Sequence, residues 1–245
     1  MKTEMLYLND PAQLHAEVRI FAISDQDGAV AVATDVTPFY AKGGGQPADS
    51  GWFQLPEGRR IDVLNVTRDG DGIVWHVVDG PDPEICVGAT IEAKVNPSSR
   101  YYHSQLHSAG EAVAAAVHFA GYAHWSVETA CHFPGQCRVV FNDRGAPSDL
   151  EVAATAIAAQ LEEMVQEDFP IRLTYAEDLD ELNALHRLEE GKHFAEWPVR
   201  LVSPKDGFWR PCMGTHVERL SNIGTITLRK VKRKKGAIAV GYDIN

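Results

Sequence analysis

The sequence predicts an α+β fold, with a small β-barrel-like module at 1–95 followed by an α+β domain at 96–245. Three observations predict it. The first ninety or so residues hold several short apolar runs separated by Asp, Gly and Pro turn signals, as in a small barrel or sandwich. An Ala-rich, Pro-free stretch from about 98 to 119 then breaks that pattern with a long helix. Beyond it, helical and strand-like segments alternate to the C-terminus. The 245 residues suit one large domain or a large one with a smaller partner, and 44% apolar with 23% charged residues is ordinary globular composition. A chain of this size buries a core without disulfide staples.

Taken in order, the N-terminal strands are expected at Arg19–Ile23, Ala29–Thr34, Ile61–Val66, Ile73–Val78 and Thr90–Lys94. Gly80-Pro81-Asp82-Pro83 is a turn, and Asn96-Pro97-Ser98-Ser99 supplies a polar cap and a first-turn Pro for the long helix. Strands at Trp125–Glu128 and Cys137–Phe141 flank the Pro134-Gly135 turn. Ser148-Asp149-Leu150-Glu151 reads as a capping box with Ser148 as the cap, opening a second helix to about Asp168. Its apolar positions Ile157, Leu161, Met164 and Val165 recur at helical spacing. A shorter helical pattern covers Asp178 to Glu190, and Thr225–Val231 and Ala237–Tyr242 form a strand pair around Lys235-Gly236. There is no internal repeat and no low-complexity stretch.

No apolar run reaches the ~18 residues that span a bilayer, and Glu4, Asn9 and Asp10 interrupt any signal-peptide pattern. The expectation is a soluble, cytoplasmic chain with no membrane partner. Of the four cysteines, Cys86, Cys131 and Cys137 read as buried thiols or passengers, because none forms a C-x-x-C pair. With 23 basic against 34 acidic residues, the formal net charge of −11 argues against a protein that coats DNA or a membrane surface. Six of the 23 basic residues nevertheless fall within seven positions: Arg229, Lys230, Lys232, Arg233, Lys234 and Lys235. Such a run is either a solvated face or a phosphate-contacting edge.

Two stretches carry chemistry. His103, His107 and Glu111 are spaced four apart on the first long helix, so any adjacent pair lies on one face and can grip one ion. Far downstream, Cys212-Met213-Gly214-Thr215-His216 offers a thiolate and an imidazole. Each pattern alone is as well read as ordinary helix or loop residues. Together they match the nitrogen and sulfur ligands that close a zinc site. The absence of H-E-x-x-H argues against the common metalloproteases. The second stretch is Thr37–Gly51, with Gly43, Gly44 and Gly45 consecutive between aromatics and Gln46-Pro47-Ala48-Asp49-Ser50-Gly51. Three glycines allow positive φ and close backbone approach. A plain hairpin loop is the other reading, and no Gly-Lys-Ser/Thr follows to make a Walker A loop.

These blocks resemble the freestanding alanyl-tRNA editing proteins, the AlaX family, which are similar to the editing domain of alanyl-tRNA synthetase. Thr37–Gly51 resembles the signature Thr-x-Phe-Tyr-x-x-x-Gly-Gly-Gln-x-x-Asp-x-Gly. Leu106-His107-Ser108-Ala109-Gly110 resembles the start of the family's His-x-x-x-His helix, and Cys212–Val217 followed by Ile223-Gly224 its Cys-x-Gly-Thr-His-Val block. His132-Phe133-Pro134-Gly135 is a fourth, weaker match. The blocks run in family order over most of the chain.

The resemblance implies an editing domain of the threonyl/alanyl-tRNA synthetase second-additional-domain type. It also implies an aminoacyl-tRNA hydrolase that deacylates tRNA(Ala) mischarged with serine, or with glycine. Zn2+ would be the cofactor, tRNA(Ala) the partner, and DNA no partner. The metal ligands implied are His107, Glu111, Cys212 and His216, with Glu111 where the family has histidine. His103 is the alternative ligand if the register shifts by one turn. Gln46 and Thr37 are the implied catalytic polar contacts, near the seryl hydroxyl. Gly43, Gly44 and Gly45 let the loop approach the substrate, and Lys232, Arg233 and Lys234 are expected on the tRNA. Two other classes remain open at this level: a catalytically weakened relative that binds tRNA or a partner, and a metal-dependent hydrolase of another small ester or amide.

Overall fold

The computed structural model describes residues 2–26, 29–55, 58–143, 149–186, 193–194, 196–234 and 236–245. They form a mixed α/β chain with a six-stranded barrel and, among the described residues, three α-helices. The chain divides into two compact units, Met1–His103 and Ser104–Asn245. No helix among the described residues is long and apolar enough to cross a membrane.

In the first unit the strands are β1 (Glu4–Met5), β2 (His15–Gln26), β3 (Ala29–Thr34), β4 (Val36–Thr37), β5 (Gly51–Gln54), β6 (Arg60–Arg68), β7 (Val74–Val78) and β8 (Thr90–Val95). Six of them close a barrel in the order β2-β3-β7-β6-β5-β8, every pair antiparallel, with β8 returning to β2. Closure removes the unpaired edges of an open sheet. Strand alternation fills the interior: in β7, Val74, His76 and Val78 point inward and Trp75 and Val77 are less buried. Val18, Ile20, Val32, Phe39, Phe53 and Ile91 pack the same core. The short strands β1 and β4 pair in parallel beside it. Neither was expected from the sequence, nor was β5, because two- to four-residue strands are too short to show a period.

The helix α1 (Pro97–Val117) begins where Asn96 Oδ1 accepts the Ser99 N–H at 3.1 Å. It continues into a π turn, His118–Tyr122, which relaxes at Gly121. Leu106, Ala109, Ala112, Val113, Ala116 and Val117 line its buried side. The second unit continues with β9 (Trp125–Cys131), β10 (Arg138–Asp143), α2 (Leu150–Gln166), β11 (Arg172–Ala176), α3 (Leu179–Leu185), β12 (Val199–Lys205), β13 (Phe208–Pro211), β14 (Ile226–Lys234) and β15 (Ala237–Ile244). Its sheets are β14-β15-β10-β9 and β11-β12-β13. The expected stripe of α2 is buried at Ile157, Leu161 and Met164, with Ala153 completing it.

Two expectations about helices need correction or bounds. The cap of α2 is Asp149 rather than Ser148: its carboxylate accepts the Glu151 and Val152 N–H groups at 2.9 and 3.3 Å. Ser148 itself, like Lys235 and residues 187–190 of the third helical pattern, lies outside the described residues. Strands β11, β12 and β13 were also not expected. In β12, six successive residues are buried on both faces, and they include Arg200 and Ser203, so neither alternation nor a clean apolar run marks the strand.

Candidate functional site

Two clusters hold the residues singled out by sequence, one in each unit. In the first unit, the glycine segment closes a tight turn: Gly43 N–H donates to Gln46 O at 3.3 Å and Gln46 N–H to Gly43 O at 2.8 Å. The central residues Gly44 and Gly45 have φ of 51° and 78°, the two positive values that a type I′ turn demands. This is the physical reason for glycine there. The Tyr40 hydroxyl donates to Gly43 O at 2.7 Å, and Gln46 is fully buried.

The base of this loop is fixed by a buried ion pair. Arg100, on the first turn of α1, donates from Nε to both oxygens of Asp49 at 3.1 and 2.9 Å, and from Nη2 to Asp49 and, at 2.6 Å, to Pro38 O. Asp49 also accepts the Tyr40 N–H at 2.7 Å. Thr37 is fully buried. His76 donates from Nδ1 to Val32 O at 2.9 Å, so its Nε2 accepts from the Thr37 hydroxyl at 2.7 Å. The Thr37 oxygen in turn accepts the Phe39 N–H at 3.1 Å. Thr37 has therefore committed its proton and one lone pair to the barrel. Burial pushes the His76 pKa down to about 4, against the Val32 hydrogen bond that raises it.

In the second unit, α1 presents Ser104, His107, Ser108 and Glu111 to the segment from Cys212 to Val217. His107 Nε2 lies 3.1 Å from Cys212 Sγ, and His216 Nε2 lies 3.3 Å from the same sulfur. The three donor atoms lie within 4.8 Å of one another, on two buried histidines and a half-buried cysteine. This three-residue group does not include His103 or Glu111. Glu111 Oε1 is 3.7 Å from His107 Nε2, and its Oε2 accepts from Arg210 Nη1 at 3.3 Å.

The supports of this cluster are local. Ser104 Oγ and Thr215 Oγ1 are hydrogen-bonded at 2.7 Å, and Ser108 Oγ sits 3.4 Å from His216 Nδ1 while accepting the Val217 N–H at 3.1 Å. The buried Arg200 donates from Nη1 to Cys212 O and Gly214 O, both at 2.9 Å, and so shapes the Cys-to-His loop. A Cβ on Gly110 would stand 2.2 Å from His132 Cε1, so this helix glycine makes room for the His132 ring, whose centroid lies 4.4 Å from that of His107. Tyr242 Oη donates to Leu106 O at 2.9 Å, which makes His132 Nδ1 the donor to Tyr242 at 2.6 Å.

Charge follows this layout. Burial works against a proton on His107, but the neighbouring Cys212 and Glu111 outweigh it and push its pKa up to about 9. Burial also works against ionised Glu111, yet Arg210 and His107 hold it well below the carboxylate range. Burial and the His107 charge drive His132 down to about 2 and His216 well below the usual imidazole value. Positive charge is thus favoured at His107 and disfavoured at the two rings beside it.

The cluster fits a borderline-soft divalent ion. It combines two buried imidazoles with a half-buried thiol, the nitrogen and sulfur donors such an ion prefers. Sequence reasoning found His107, Cys212 and His216. It missed Arg200, Arg210 and Tyr242, which no local spacing links to the motifs, and it missed Arg100 and His76 in the first unit. Gly110 in mid-helix, where glycine costs about 1 kcal/mol relative to alanine, was the signal that could have pointed to a packed ring.

The basic run lies on β14. Arg229 donates to Gly135 O and Cys137 O at 3.1 and 2.6 Å and pairs with Asp243 at 3.3 Å. Arg233 pairs with Asp143 at 2.6 Å. Lys230 and Lys232 are exposed, with no ion pair among the described residues. The side chain of Lys234 lies outside the description.

A family model described as tRNA synthetases class II (A) matches residues 11–99. The alanine–tRNA ligase of Frankia alni is 31% identical over 203 residues, which is 81% of this chain and 22% of that one. The alanine–tRNA ligase of Methanobrevibacter smithii is 26% identical over 240 residues, or 97% of this chain and 26% of that one. That of Archaeoglobus fulgidus is 26% identical over 232 residues, or 94% and 24%. The chain spans about a quarter of the length of these curated relatives. The motif blocks in family order and these matches over most of the chain's length support an AlaX-like editing domain similar to part of alanyl-tRNA synthetase.

Proposed function

We propose that this chain is a trans-editing hydrolase, cleaving the ester between tRNA(Ala) and a wrong amino acid, chiefly serine and secondarily glycine. The observation that carries the reading is the meeting of His107, Cys212 and His216, donors from segments more than a hundred residues apart. Similarity to alanine–tRNA ligases supports tRNA(Ala) as the partner.

In this reading His107, Cys212 and His216 hold a zinc ion, which when bound supplies a Lewis acid that orients and polarises the aminoacyl group. Ser108 steadies the His216 ring, Arg200 fixes the path of the Cys212 loop, and Arg210 neutralises Glu111. In the first unit, Gln46, Thr37 and the turn of Gly43, Gly44 and Gly45 take the polar contacts to the amino acid. The Thr37 hydroxyl donates its hydrogen bond to His76, so toward a seryl hydroxyl it acts as acceptor through its remaining lone pair. A hydroxyl-specific contact is the economical way to spare alanine, because a site built to bind a hydroxyl disfavours a ligand that lacks one. Lys232, with Lys230 beside it and Lys234 and Arg233 on the same strand, contacts phosphates.

Purified protein incubated with seryl-, glycyl- and alanyl-tRNA(Ala) tests the reading. Release of serine, with alanyl-tRNA spared and activity lost in Cys212→Ala, is the expected result. Equal activity of wild type and Cys212→Ala would remove the metal from the mechanism. One observation favours a second reading: Glu111 is paired with Arg210 where the family resemblance expects a histidine, as in a weakened relative that holds tRNA. Binding of tRNA(Ala) without deacylation of any of the three substrates would select it.

A further inference from the structure

The two imidazoles of the cluster are held differently. His216 has Ser108 Oγ at its Nδ1, 3.4 Å away, while its Nε2 lies 3.3 Å from Cys212 Sγ. His107 also turns its Nε2 to Cys212 Sγ, at 3.1 Å, but its Nδ1 is buried with no hydrogen-bond partner among the described residues. A hydrogen bond at the second nitrogen is the ordinary device that orients a histidine of such a cluster. His107 lacks it, so its ring is held by packing.

His132 supplies that packing. Its ring centroid is 4.4 Å from that of His107, with the planes inclined at 38°, and the residue is 2% exposed. Its seat is built on the stretch of α1 that carries His107. The Tyr242 hydroxyl donates to Leu106 O at 2.9 Å, since a carbonyl only accepts, and so takes the His132 Nδ1 hydrogen at 2.6 Å. One turn beyond Leu106, a Cβ on Gly110 would stand 2.6 Å from His132 Nδ1 and 2.8 Å from Tyr242 Oη. A side chain at 110 would therefore push this hydrogen-bonded pair away. The chain tethers His132 at the residue before His107 and clears room for it on the following turn.

We propose that His132 is the positioning residue for His107: its ring, tethered through Tyr242 to Leu106, fixes the orientation of the His107 imidazole toward Cys212. Tyr242 acts through His132 and not on His107 directly. The role needs a flat ring at position 132 and not only a buried polar group. It deepens the metal reading above and rests on it for the binding measurement alone, because the orientation of His107 is a property of the metal-free chain.

The test uses the full chain and three variants, each checked for retained fold by circular dichroism. His132→Asn keeps an amide N–H for Tyr242 and removes the ring. Tyr242→Phe keeps the ring and removes the tether, and the third variant carries both changes. One measurement is 13C relaxation at His107 Cε1 in the metal-free chain. The other is Co2+ affinity by chelator competition, with the visible bands of the same samples. An ordered His107 ring is expected in the wild type and a mobile one in His132→Asn, with Co2+ bound about 10- to 100-fold more weakly, the range for losing a supporting group. Tyr242→Phe is expected to shift both measurements in the same direction by less. The double variant should be no weaker than His132→Asn, because two residues acting in series are not additive. A His107 ring that stays ordered in both single variants overturns the proposal, and so do effects that add in the double variant. Wild type that takes up no Co2+ would overturn the metal reading, while the relaxation measurement would still decide the role of His132.

Discussion

Gly214 lies directly against the imidazole of His107: a Cβ at position 214 would stand 2.3 Å from His107 Cε1 and 2.7 Å from both ring nitrogens. The Cys-to-His loop can close on α1 only because this residue has no side chain. Gly214→Ala must therefore displace the ring that Cys212 and His216 meet. Metal affinity is expected to fall about 10- to 100-fold, as for loss of a supporting group. Overall stability should fall by about 1–3 kcal/mol from overpacking. Chelator competition and urea unfolding measure the two. Unchanged affinity would mean that His107 does not need its present position.

The buried Arg100–Asp49 pair joins the first turn of α1 to the glycine loop within the first unit. Removing one partner leaves a charge buried and unpaired, which costs about 3–5 kcal/mol. Arg100→Met should lower the unfolding free energy by that amount. The double variant Arg100→Met/Asp49→Asn should recover part of it, since it leaves no charge behind. If the double variant is less stable than Arg100→Met, the pair is not the device that holds this loop.

His76 makes the barrel sensitive to acid. Its folded pKa of about 4 lies below the ordinary imidazole value, so the unfolded chain binds a proton that the native one refuses. Stability is fully present above about pH 6.5 and falls as pH drops toward 4, by up to about 3 kcal/mol at 1.36 kcal/mol per unit. Replacing His76 with Gln keeps a polar group against Thr37 and removes the titration. Denaturant midpoints of the two proteins at pH 7 and pH 4.5 should converge toward acid. Parallel curves would rule out His76 as the source.

The basic strand divides by function. Charge reversal at the exposed Lys230 and Lys232 should weaken tRNA binding and reduce the salt slope by roughly one unit per lost phosphate contact, without lowering stability. Changing Arg229, whose guanidinium holds the carbonyls of Gly135 and Cys137, should instead lower the unfolding free energy. Filter binding at several salt concentrations, with melting curves of the same samples, separates the two. A uniform loss of binding across all three positions, with no stability change, would count against the division.

Much of the fold was legible because local signals are strong where elements are long. Asn96-Pro97 marked the start of α1, Ala29–Thr34 matched β3 residue for residue, and the apolar stripe of α2 faced its core as the period required. The strands β11, β12 and β13 were not legible, because β12 is buried on both faces and carries an arginine. That arginine belongs inside only because Cys212 and Gly214 turn their carbonyls toward it. At the candidate site the pattern was the same. His107, Cys212 and His216 stood out by residue type and spacing, and His132 by a weaker motif match, whereas Arg200, Arg210 and Tyr242 joined them from strands that no spacing connects.

The sequence alone determined that His107 and Glu111 share one face of α1, since the helical period places residues four apart in line whatever the rest of the chain does. It also determined that Cys212 and His216 lie within one short loop. Which carboxylate or imidazole would meet that loop was decided only by tertiary structure. Arg200 sets the loop's path, Gly214 lets it reach His107, and Arg210 pairs with Glu111 Oε2. The Gly214 and Arg210 contacts join α1 to a segment far downstream in the chain, so their energy exists only once the core has brought the two together.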